Sequence, residues 1–392
     1  MSRARVAVLL VAVSVSALFA VAGCSGTNGP PSPPPGPAVA IQDDRLANVY
    51  LADRPEDAEA RLDLVEQTGA RMMRVDLFWG SVAPTPPANP TDPADPAYNF
   101  GPFDKIVTGA ARREITPIVA VYNAPPWATG GIVDSDIVTV YNSLAPEPGA
   151  YADFIEAVAR RYSGRFDGPG GEPLPRIRFW EIWNEPNLNL YLSPQREGGE
   201  NVSIEAYAGL VRAAYPRIKQ GGGGDTVVLV GAAGPTSSTR KNRTSAIDWL
   251  RALRDADVPL DAYSQHIYPS APPATETAVI PSWKTVDELL AELELWRPGL
   301  GLYVTEAGYT TAETPFRKRF VSDDEQAEYL RQIWSLPEVQ DPRLKAIVWF
   351  NMQDNGNWPA GLLREDGSKK PSFDVFTELA ARRQRPIDTK GT

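Results

Sequence analysis

The 392-residue chain is poor in the residues on which several common catalytic centres depend, with a single cysteine, Cys24, and a single histidine, His266. One cysteine excludes a disulfide within the chain, a thiolate metal cluster and a cysteine nucleophile in the body of the protein. One histidine cannot build a polyhistidine metal site. A Ser-His-Asp hydrolase would also need a Gly-x-Ser-x-Gly elbow, which the sequence lacks. The sequence therefore implies neither a metal nor an organic cofactor.

Positive charge is also scarce, because 39 Lys and Arg residues face 49 Asp and Glu residues, giving a net charge of −10. An acidic surface opposes binding to a polyanion, so we expect no nucleic-acid partner. Tryptophan, by contrast, is abundant, with 10 residues. Sugar rings present apolar C–H faces that stack on indoles, and this composition suits a saccharide ligand. Core packing is the alternative, and we expect about half of the tryptophans to serve only that purpose.

The N-terminus has the organisation of a secretion signal. Arg3 and Arg5 precede an apolar run, Val6–Ala20, that is too short for a comfortable transmembrane span. The following Val21-Ala22-Gly23-Cys24 resembles a bacterial lipobox, which implies that Cys24 is acylated after cleavage. We therefore expect residues 1–24 to be a lipoprotein signal peptide and the protein to be anchored by lipid at the extracellular face of the cell membrane.

Three further segments complete the predicted organisation. Residues 25–38 are rich in Pro and Gly and form a tether, which at ~3.1 Å per residue could reach roughly 40 Å from the membrane. We expect residues 39–385 to form the folded domain and residues 386–392 to form a C-terminal tail. We expect the domain to be a monomer.

Strand-like and helix-like segments alternate along the predicted domain. Eight short runs rich in β-branched and aromatic residues predict strands: Ala40–Asp43, Arg71–Leu77, Thr116–Tyr122, Ile177–Trp183, Thr226–Val230, Asp261–Ile267, Leu302–Glu306 and Lys345–Phe350. Eight helical patterns lie between or after them: Pro55–Thr68, Gly101–Glu114, Tyr151–Tyr162, Ile204–Gln220, Ser245–Ala256, Trp283–Trp296, Asp323–Leu336 and Ser372–Arg382. This alternation predicts an α/β fold, the (β/α)8 TIM barrel. A doubly wound sheet is the alternative, although no Gly-x-Gly-x-x-Gly turn follows an early strand.

A glutamate lies at the end of one predicted strand and just after the end of another. Glu185 lies in Trp183-Asn184-Glu185-Pro186-Asn187, where Pro186 prevents simple continuation of the fourth strand. A carboxyl group at the end of a buried strand and walled by Trp is placed to donate a proton, with a pKa raised by desolvation. Glu306 ends the seventh strand, which lies across the lumen of an eight-strand barrel from the fourth. We therefore expect the two carboxylates to converge.

The Trp183–Asn187 element resembles the acid/base motif of retaining glycoside hydrolases of the (β/α)8 clan A, most closely family 39-type enzymes and also family 5-type enzymes. The resemblance implies an extracellular retaining β-glycoside hydrolase that acts on an oligo- or polysaccharide by double displacement. In this interpretation Glu185 is the general acid and base, and Glu306 is the nucleophile. A retaining mechanism needs the two carboxyl groups about 5–5.5 Å apart.

The resemblance also implies supporting roles for residues near other strand ends. Arg74, near the end of the second strand, would lower the pKa of Glu306, and Asp76 faces the same side of that strand. Tyr268 would hydrogen bond the nucleophile, and His266 would line the sugar subsite. Asn184 would contact the sugar 2-hydroxyl, and Trp349 would form an aromatic floor.

Four further residues are candidates for the wall of the cleft. Asn123 and Trp127 follow the third strand and are predicted to line it. For Trp79 and Trp358, a place in the wall and simple packing are equally compatible with the sequence.

Two other classes of protein remain open at this point. A non-catalytic carbohydrate-binding lipoprotein would keep the aromatic cleft, although an intact pair of glutamates argues against it. A solute-binding lipoprotein of a transporter would have two α/β lobes joined by a hinge, and a single closed barrel would rule it out. The sequence specifies neither the sugar nor cleavage within chains as opposed to at their ends.

Overall fold

Eight parallel strands close into a barrel in the computed structural model, which describes residues 36–48, 57–130 and 143–383. The strands are β1 Ala38–Gln42, β2 Met72–Phe78, β3 Thr116–Tyr122, β4 Phe179–Ile182, β5 Val227–Ala233, β6 Ala262–Ile267, β7 Gly301–Ala307 and β8 Leu344–Phe350. Each strand pairs with its neighbours in the chain, and β1 pairs with β8 to close the sheet. The predicted TIM barrel is confirmed. Closure excludes both the doubly wound sheet and the two-lobed solute-binding fold.

In the part of the chain that the structure describes, one long helix follows each strand. The helices are α1 Asp57–Gln67, α2 Gly101–Arg112, α3 Pro148–Arg161, α4 Val202–Gly222, α5 Ala246–Asp255, α6 Val286–Trp296, α7 Asp323–Ile333 and α8 Pro371–Arg382. Short helical turns lie at Asp44–Leu46, Trp79–Val82, Pro126–Thr129, Trp283–Thr285 and Pro337–Gln340. A small hairpin, Arg196–Glu197 with Glu200–Asn201, lies in the β4–α4 loop and was not predicted. No helix of the described residues has both the length and the apolar character needed to cross a membrane.

Several predicted segments lie outside the described residues. These are the signal peptide of residues 1–24 with its lipidated Cys24, most of the tether of residues 25–38, and the tail of residues 386–392. The first strand begins at Ala38, one residue before the predicted start of the domain.

Successive side chains along each strand point to opposite faces of the sheet and so form two separate apolar clusters. One face of each strand packs against the helices, as Ile41, Val75 and Ile347 do. The other face fills the lower lumen of the barrel with a smaller cluster of side chains: Ala40, Met72, Ile118, Phe179, Leu229, Ala262, Ala346 and Val348. Above this cluster, toward the C-terminal ends of the strands, the lumen positions become polar. The apolar plug thus forms the base on which the polar site rests.

Candidate active site

Glu185 follows β4 in a turn with an uncommon backbone conformation. Trp183 and Glu185 have φ values of 68° and 42°, in the left-handed region that L side chains rarely adopt. Trp183 is completely buried, and its indole N–H donates to the Tyr191 carbonyl at 2.9 Å. The Glu185 N–H donates to the Ala232 carbonyl of β5, also at 2.9 Å. These contacts hold the turn and bring the Glu185 side chain against the neighbouring strands.

Glu306 lies within β7, one residue before its end, and both of its carboxylate oxygens accept hydrogen bonds. Oε1 accepts from Arg74 Nη1 at 2.8 Å, and Oε2 accepts from the Tyr268 hydroxyl at 2.9 Å. The side chains of Glu185 and Glu306 are 12% and 13% exposed, so both carboxylates reach the cleft surface.

The two carboxylates converge on His266 of β6. The ring Nδ1 lies 2.9 Å from Glu185 Oε1 and 3.5 Å from Glu306 Oε2. One oxygen of each carboxylate and a ring nitrogen all lie within 4.8 Å of one another. His266 is completely buried, so it contacts both carboxylates but does not itself form cleft surface, unlike the sugar-lining role inferred from the sequence.

These three groups are also the residue types that bind metal ions. The guanidinium of Arg74, however, lies 2.8 Å from Glu306 and already supplies positive charge there. A metal ion bound to Glu306 would experience repulsion from this buried cation. The arrangement therefore suits proton transfer and nucleophilic attack better than metal binding.

Arg74 of β2 is the centre of a buried polar network. Its side chain is fully buried and donates to five acceptors: Glu181 Oε2 at 2.6 Å, Asn184 Oδ1 at 2.7 Å, Gln42 Oε1 and Glu306 Oε1 at 2.8 Å, and Asp76 Oδ1 at 3.0 Å. Only arginine offers five N–H donors in a planar fork, so a lysine, which has the same charge, could not make these contacts. The predicted contacts of Arg74 with Glu306 and Asp76 are both present.

Asn184 and three residues that were not predicted complete this network. Because its Oδ1 accepts from Arg74, the Asn184 amide N–H groups are left as donors for a ligand such as a sugar hydroxyl. Gln42 and the Tyr122 hydroxyl both donate to Asp76 Oδ2 at 3.1 Å. Glu181 is 1% exposed and pairs with Arg74 from β4.

The charges of the cluster do not balance, since four carboxyl groups, Asp76, Glu181, Glu185 and Glu306, share one guanidinium and one imidazole. Full ionisation would leave negative charge buried, so we expect the cluster to retain a proton near neutral pH. Burial raises the pKa of Glu306, although His266 and Arg74 both act to lower it. The predicted effect of Arg74 is therefore present in direction but is outweighed by burial.

The pKa values of His266 and of Glu181, the most deeply buried carboxylate, depart from their usual values in opposite directions. Burial acts to lower the pKa of His266, but the nearby carboxylates, first Glu306 and then Glu185, outweigh it and raise the pKa. Burial acts to raise the pKa of Glu181, but Arg74 and His266 outweigh it and bring the pKa below its usual value. Glu181 thus serves as the fixed counter-charge of Arg74.

The aromatic residues at the end of β8 differ from the prediction. Trp349 is completely buried, belongs to the cluster between sheet and helices, and donates its indole N–H to the Ala360 carbonyl at 3.1 Å. It cannot form the floor of the cleft, because strand alternation puts its neighbours Val348 and Phe350 on the lumen side. Phe350 pairs in register with Gln42. Phe350 and Trp358 both pack edge-on against Tyr268.

The residues after β2 and β3 form a separate part of this end of the barrel. Trp127 is half-buried, packs edge-on against Trp79 at 5.4 Å and donates to the Ala83 carbonyl at 2.9 Å. Trp79 is completely buried and stacks on Phe154, so it is a core residue. Asn123 has a φ of 62° at the end of β3. Asn123 and Trp127 thus lie at the C-terminal end of β3, on the predicted face of the barrel.

The chain has the fold of family 39 glycoside hydrolases. Its structure is similar to a family 39 glycoside hydrolase of Bacteroides cellulosilyticus WH2, with a TM-score of 0.59 and 21% identity, over 88% of this chain and 64% of that chain. It is also similar to a family 39 β-xylosidase of Caulobacter crescentus, with a TM-score of 0.61 and 19% identity, over 90% of this chain and 73% of that chain.

A curated relative extends this resemblance to sequence. A β-xylosidase of Geobacillus stearothermophilus is 24% identical over 236 residues, which cover 56% of this chain and 42% of that protein. The chain thus spans less than half the length of this relative. No protein-family model matches the chain. The resemblance to family 39-type enzymes of clan A that the Trp183–Asn187 motif indicated is confirmed.

The hydrogen bond from Tyr268 to Glu306 leads to a prediction about pH dependence. A hydroxyl that donates to a carboxylate stabilises its ionised form, so Tyr268→Phe should raise the pKa of Glu306. If turnover requires ionised Glu306, the acidic limb of the kcat/KM profile should move upward by about one pH unit. The profile should be measured with an aryl glycoside beside Tyr98→Phe, whose hydroxyl bonds the Pro90 carbonyl instead. An acidic limb that is the same in both variants would contradict this role of Tyr268.

Proposed function

We propose that the protein is a retaining β-glycoside hydrolase that cleaves an oligo- or polysaccharide by double displacement. The observation that carries this proposal is the convergence of Glu185 and Glu306, whose nearest oxygens lie within 4.8 Å of each other. Retaining glycosidases hold their carboxyl groups about 5–5.5 Å apart, whereas inverting enzymes need about 6.5–9.5 Å to admit a water molecule. The close approach of the two oxygens supports the retaining geometry.

The first step of the proposed reaction uses both carboxyl groups at once. Glu185 gives its proton to the glycosidic oxygen as the bond from that oxygen to the anomeric carbon breaks. A Glu306 oxygen attacks the same carbon and forms a glycosyl ester. Arg74 and Tyr268 each donate to Glu306, which holds its carboxylate in place for attack and stabilises it when it is released.

The second step releases the sugar. Glu185, now ionised, takes a proton from a water molecule as that water attacks the anomeric carbon, and the ester bond to Glu306 breaks. Two inversions at one carbon leave its configuration unchanged. Asn184 is positioned to donate to the sugar 2-hydroxyl throughout, because Arg74 fixes the orientation of its amide.

A screen of aryl β-glycosides and polysaccharides tests this function. β-Xylosides are the natural first compounds, since two of the similar proteins are β-xylosidases. Hydrolysis that is lost in Glu306→Ala would support the proposal, and product analysis would then identify the sugar, the linkage and the position of cleavage. Saccharide binding without any turnover would instead favour the non-catalytic carbohydrate-binding lipoprotein.

We further propose that the enzyme is a monomer, held by lipid at the extracellular face of the bacterial membrane through Cys24. The lipid anchor rests on the sequence of residues 1–24. Cys24→Ser should move the protein from the membrane fraction to the soluble fraction without changing its specific activity, because Cys24 precedes the first barrel strand in the sequence. Fractionation of cells that express each form measures this directly. A Cys24→Ser protein that stays with the membrane would contradict the lipid anchor.

A further inference from the structure

The loop between β7 and α7, residues 308–322, carries a concentration of positive charge and exposed aromatic surface in an otherwise acidic protein. It contains Arg317-Lys318-Arg319 between two phenylalanines. Phe316 and Phe320 are 64% and 55% exposed, and they are two of the four large apolar side chains that are exposed in the described part of the chain. The loop directly follows the strand that carries Glu306.

Arg317 lies at the edge of the proposed catalytic cleft. Its guanidinium carbon is 5.6 Å from the ring centre of Tyr268 and 5.3 Å from that of Trp358, and its Nη1 donates to the Tyr268 carbonyl at 2.7 Å. The Tyr268 hydroxyl in turn donates to Glu306. Arg317 is therefore two contacts away from the proposed nucleophile.

Arg317 and Arg319 have no acidic partner among the described residues, whereas the intervening Lys318 pairs with Glu313 at 2.7 Å. Burial lowers the pKa of Arg317, while the negative charge of Glu185 acts to raise it. A guanidinium that is partly buried without a carboxylate is costly unless a ligand supplies the negative charge.

Both arginines line one small pocket beside the cleft. The pocket wall also includes Tyr268, Ser270, Phe320 and Trp358. This set combines two cations, a hydroxyl and aromatic rings. Guanidinium groups bind carboxylate and sulfate through paired N–H donors, and aromatic rings stack on sugar faces.

We propose that the substrate carries an anionic group, a carboxylate or a sulfate on a sugar ring, and that Arg317, assisted by Arg319, binds it in this pocket. The inference rests on the proposed glycoside hydrolase function and specifies its substrate class. Arg317 packs over the rings of Tyr268 and Trp358 and at the same time lines the pocket. Net negative charge elsewhere would weaken non-specific binding of such a glycan, so recognition depends on these two side chains.

The test compares binding and turnover in Arg317→Gln with those in Lys318→Gln. Both substitutions remove one positive charge from the same loop, but Lys318 is not part of the pocket wall. Calorimetric titration of the intact protein with glucuronate, glucose 6-sulfate and glucose separates the two anionic groups from the neutral ring. Kinetics with paired oligosaccharides, with and without uronic acid or sulfate substituents, then give the ratio of kcat/KM for anionic over neutral substrate.

We expect wild-type protein to bind one of the two anionic probes more tightly than glucose and to favour the matching substrate. Arg317→Gln should lower that ratio of kcat/KM at least tenfold, mainly through KM, and Lys318→Gln should change it less than twofold. Arg317→Lys should recover part of the preference. The inference would be overturned if Arg317→Gln lowered kcat/KM equally for anionic and neutral substrates, or if Arg317→Gln and Lys318→Gln had equal effects. An active wild-type protein with no preference for the anionic substrate would overturn it as well. A protein that binds the anionic probe but hydrolyses no glycoside would refute the proposed catalysis while leaving the anion site intact.

Discussion

Glu306→Ala is expected to reduce turnover of an aryl β-glycoside by at least about 10⁴-fold, because it removes the oxygen that we propose attacks the anomeric carbon. Small anions can enter the space left by the carboxylate. Azide should therefore restore part of the activity and yield a glycosyl azide of inverted configuration. Glu313→Ala, in the loop that follows β7, is a suitable control, since Glu313 is exposed and pairs only with Lys318 among the described residues.

Glu185→Ala should behave differently, because a good leaving group needs no proton. Loss of a general acid costs about 10²–10⁴-fold with poor leaving groups, and the first step with a dinitrophenyl glycoside should be largely spared. Azide should then assist the second step and yield a product of retained configuration. Identical azide products from both variants, or full activity of either variant on the natural glycan, would contradict the separate roles of the two residues.

The second large effect is expected on stability. Arg74→Ala leaves Glu181 buried without its partner, and removal of one member of a buried ion pair costs roughly 3–5 kcal/mol. The free energy of unfolding should be measured by urea titration, beside Arg112→Ala. Arg112 also pairs with a carboxylate, Glu59, but both side chains are about half exposed. An exposed pair of this kind contributes at most about 1 kcal/mol.

Arg74→Lys separates the contribution of positive charge from the contribution of the arginine's hydrogen-bond geometry in the same network. A lysine ammonium restores the positive charge but cannot reproduce donation to five acceptors on several strands. We expect an intermediate loss of stability and a large loss of activity, because Glu306 and Asn184 lose their fixed orientation. An Arg74→Ala protein as stable as Arg112→Ala would show that the network does not support the barrel.

The sequence was sufficient to predict features that depend on local residue patterns and on the chemistry of single residues. The β-branched runs and helical periods gave the barrel, and two glutamates at strand ends indicated opposite sides of one cleft. Asp76 could be placed beside Arg74 because residues two apart on a strand share a face.

Other features depended on information that one sequence carries only weakly. Glu181 lies in an aromatic run of the fourth strand, where nothing in the local sequence marks it as the partner of Arg74. Gln42 was hidden in a weak first strand. Trp349 was assigned to the cleft although alternation from Val348 in the lumen turns it toward the helices. This assignment is corrected by the strand register, which depends on how β8 pairs with β1 and cannot be read from one strand alone.

The pocket of Arg317 shows a further limit of the sequence. Arg317 and Lys318 are adjacent cations in one loop, and composition does not distinguish them. Only the fold shows that Lys318 pairs with Glu313 in solvent while Arg317 packs over Tyr268 and Trp358.

Covalent trapping tests the central claim most directly. A 2-deoxy-2-fluoro glycoside with a dinitrophenyl leaving group slows the second step more than the first and allows a glycosyl-enzyme to accumulate. Mass spectrometry of peptides from the inactivated protein should find one sugar residue attached to the peptide that contains Glu306, and none on Glu185. An active enzyme that forms no adduct and releases a product of inverted configuration, or one that carries the sugar on another residue, would contradict the account.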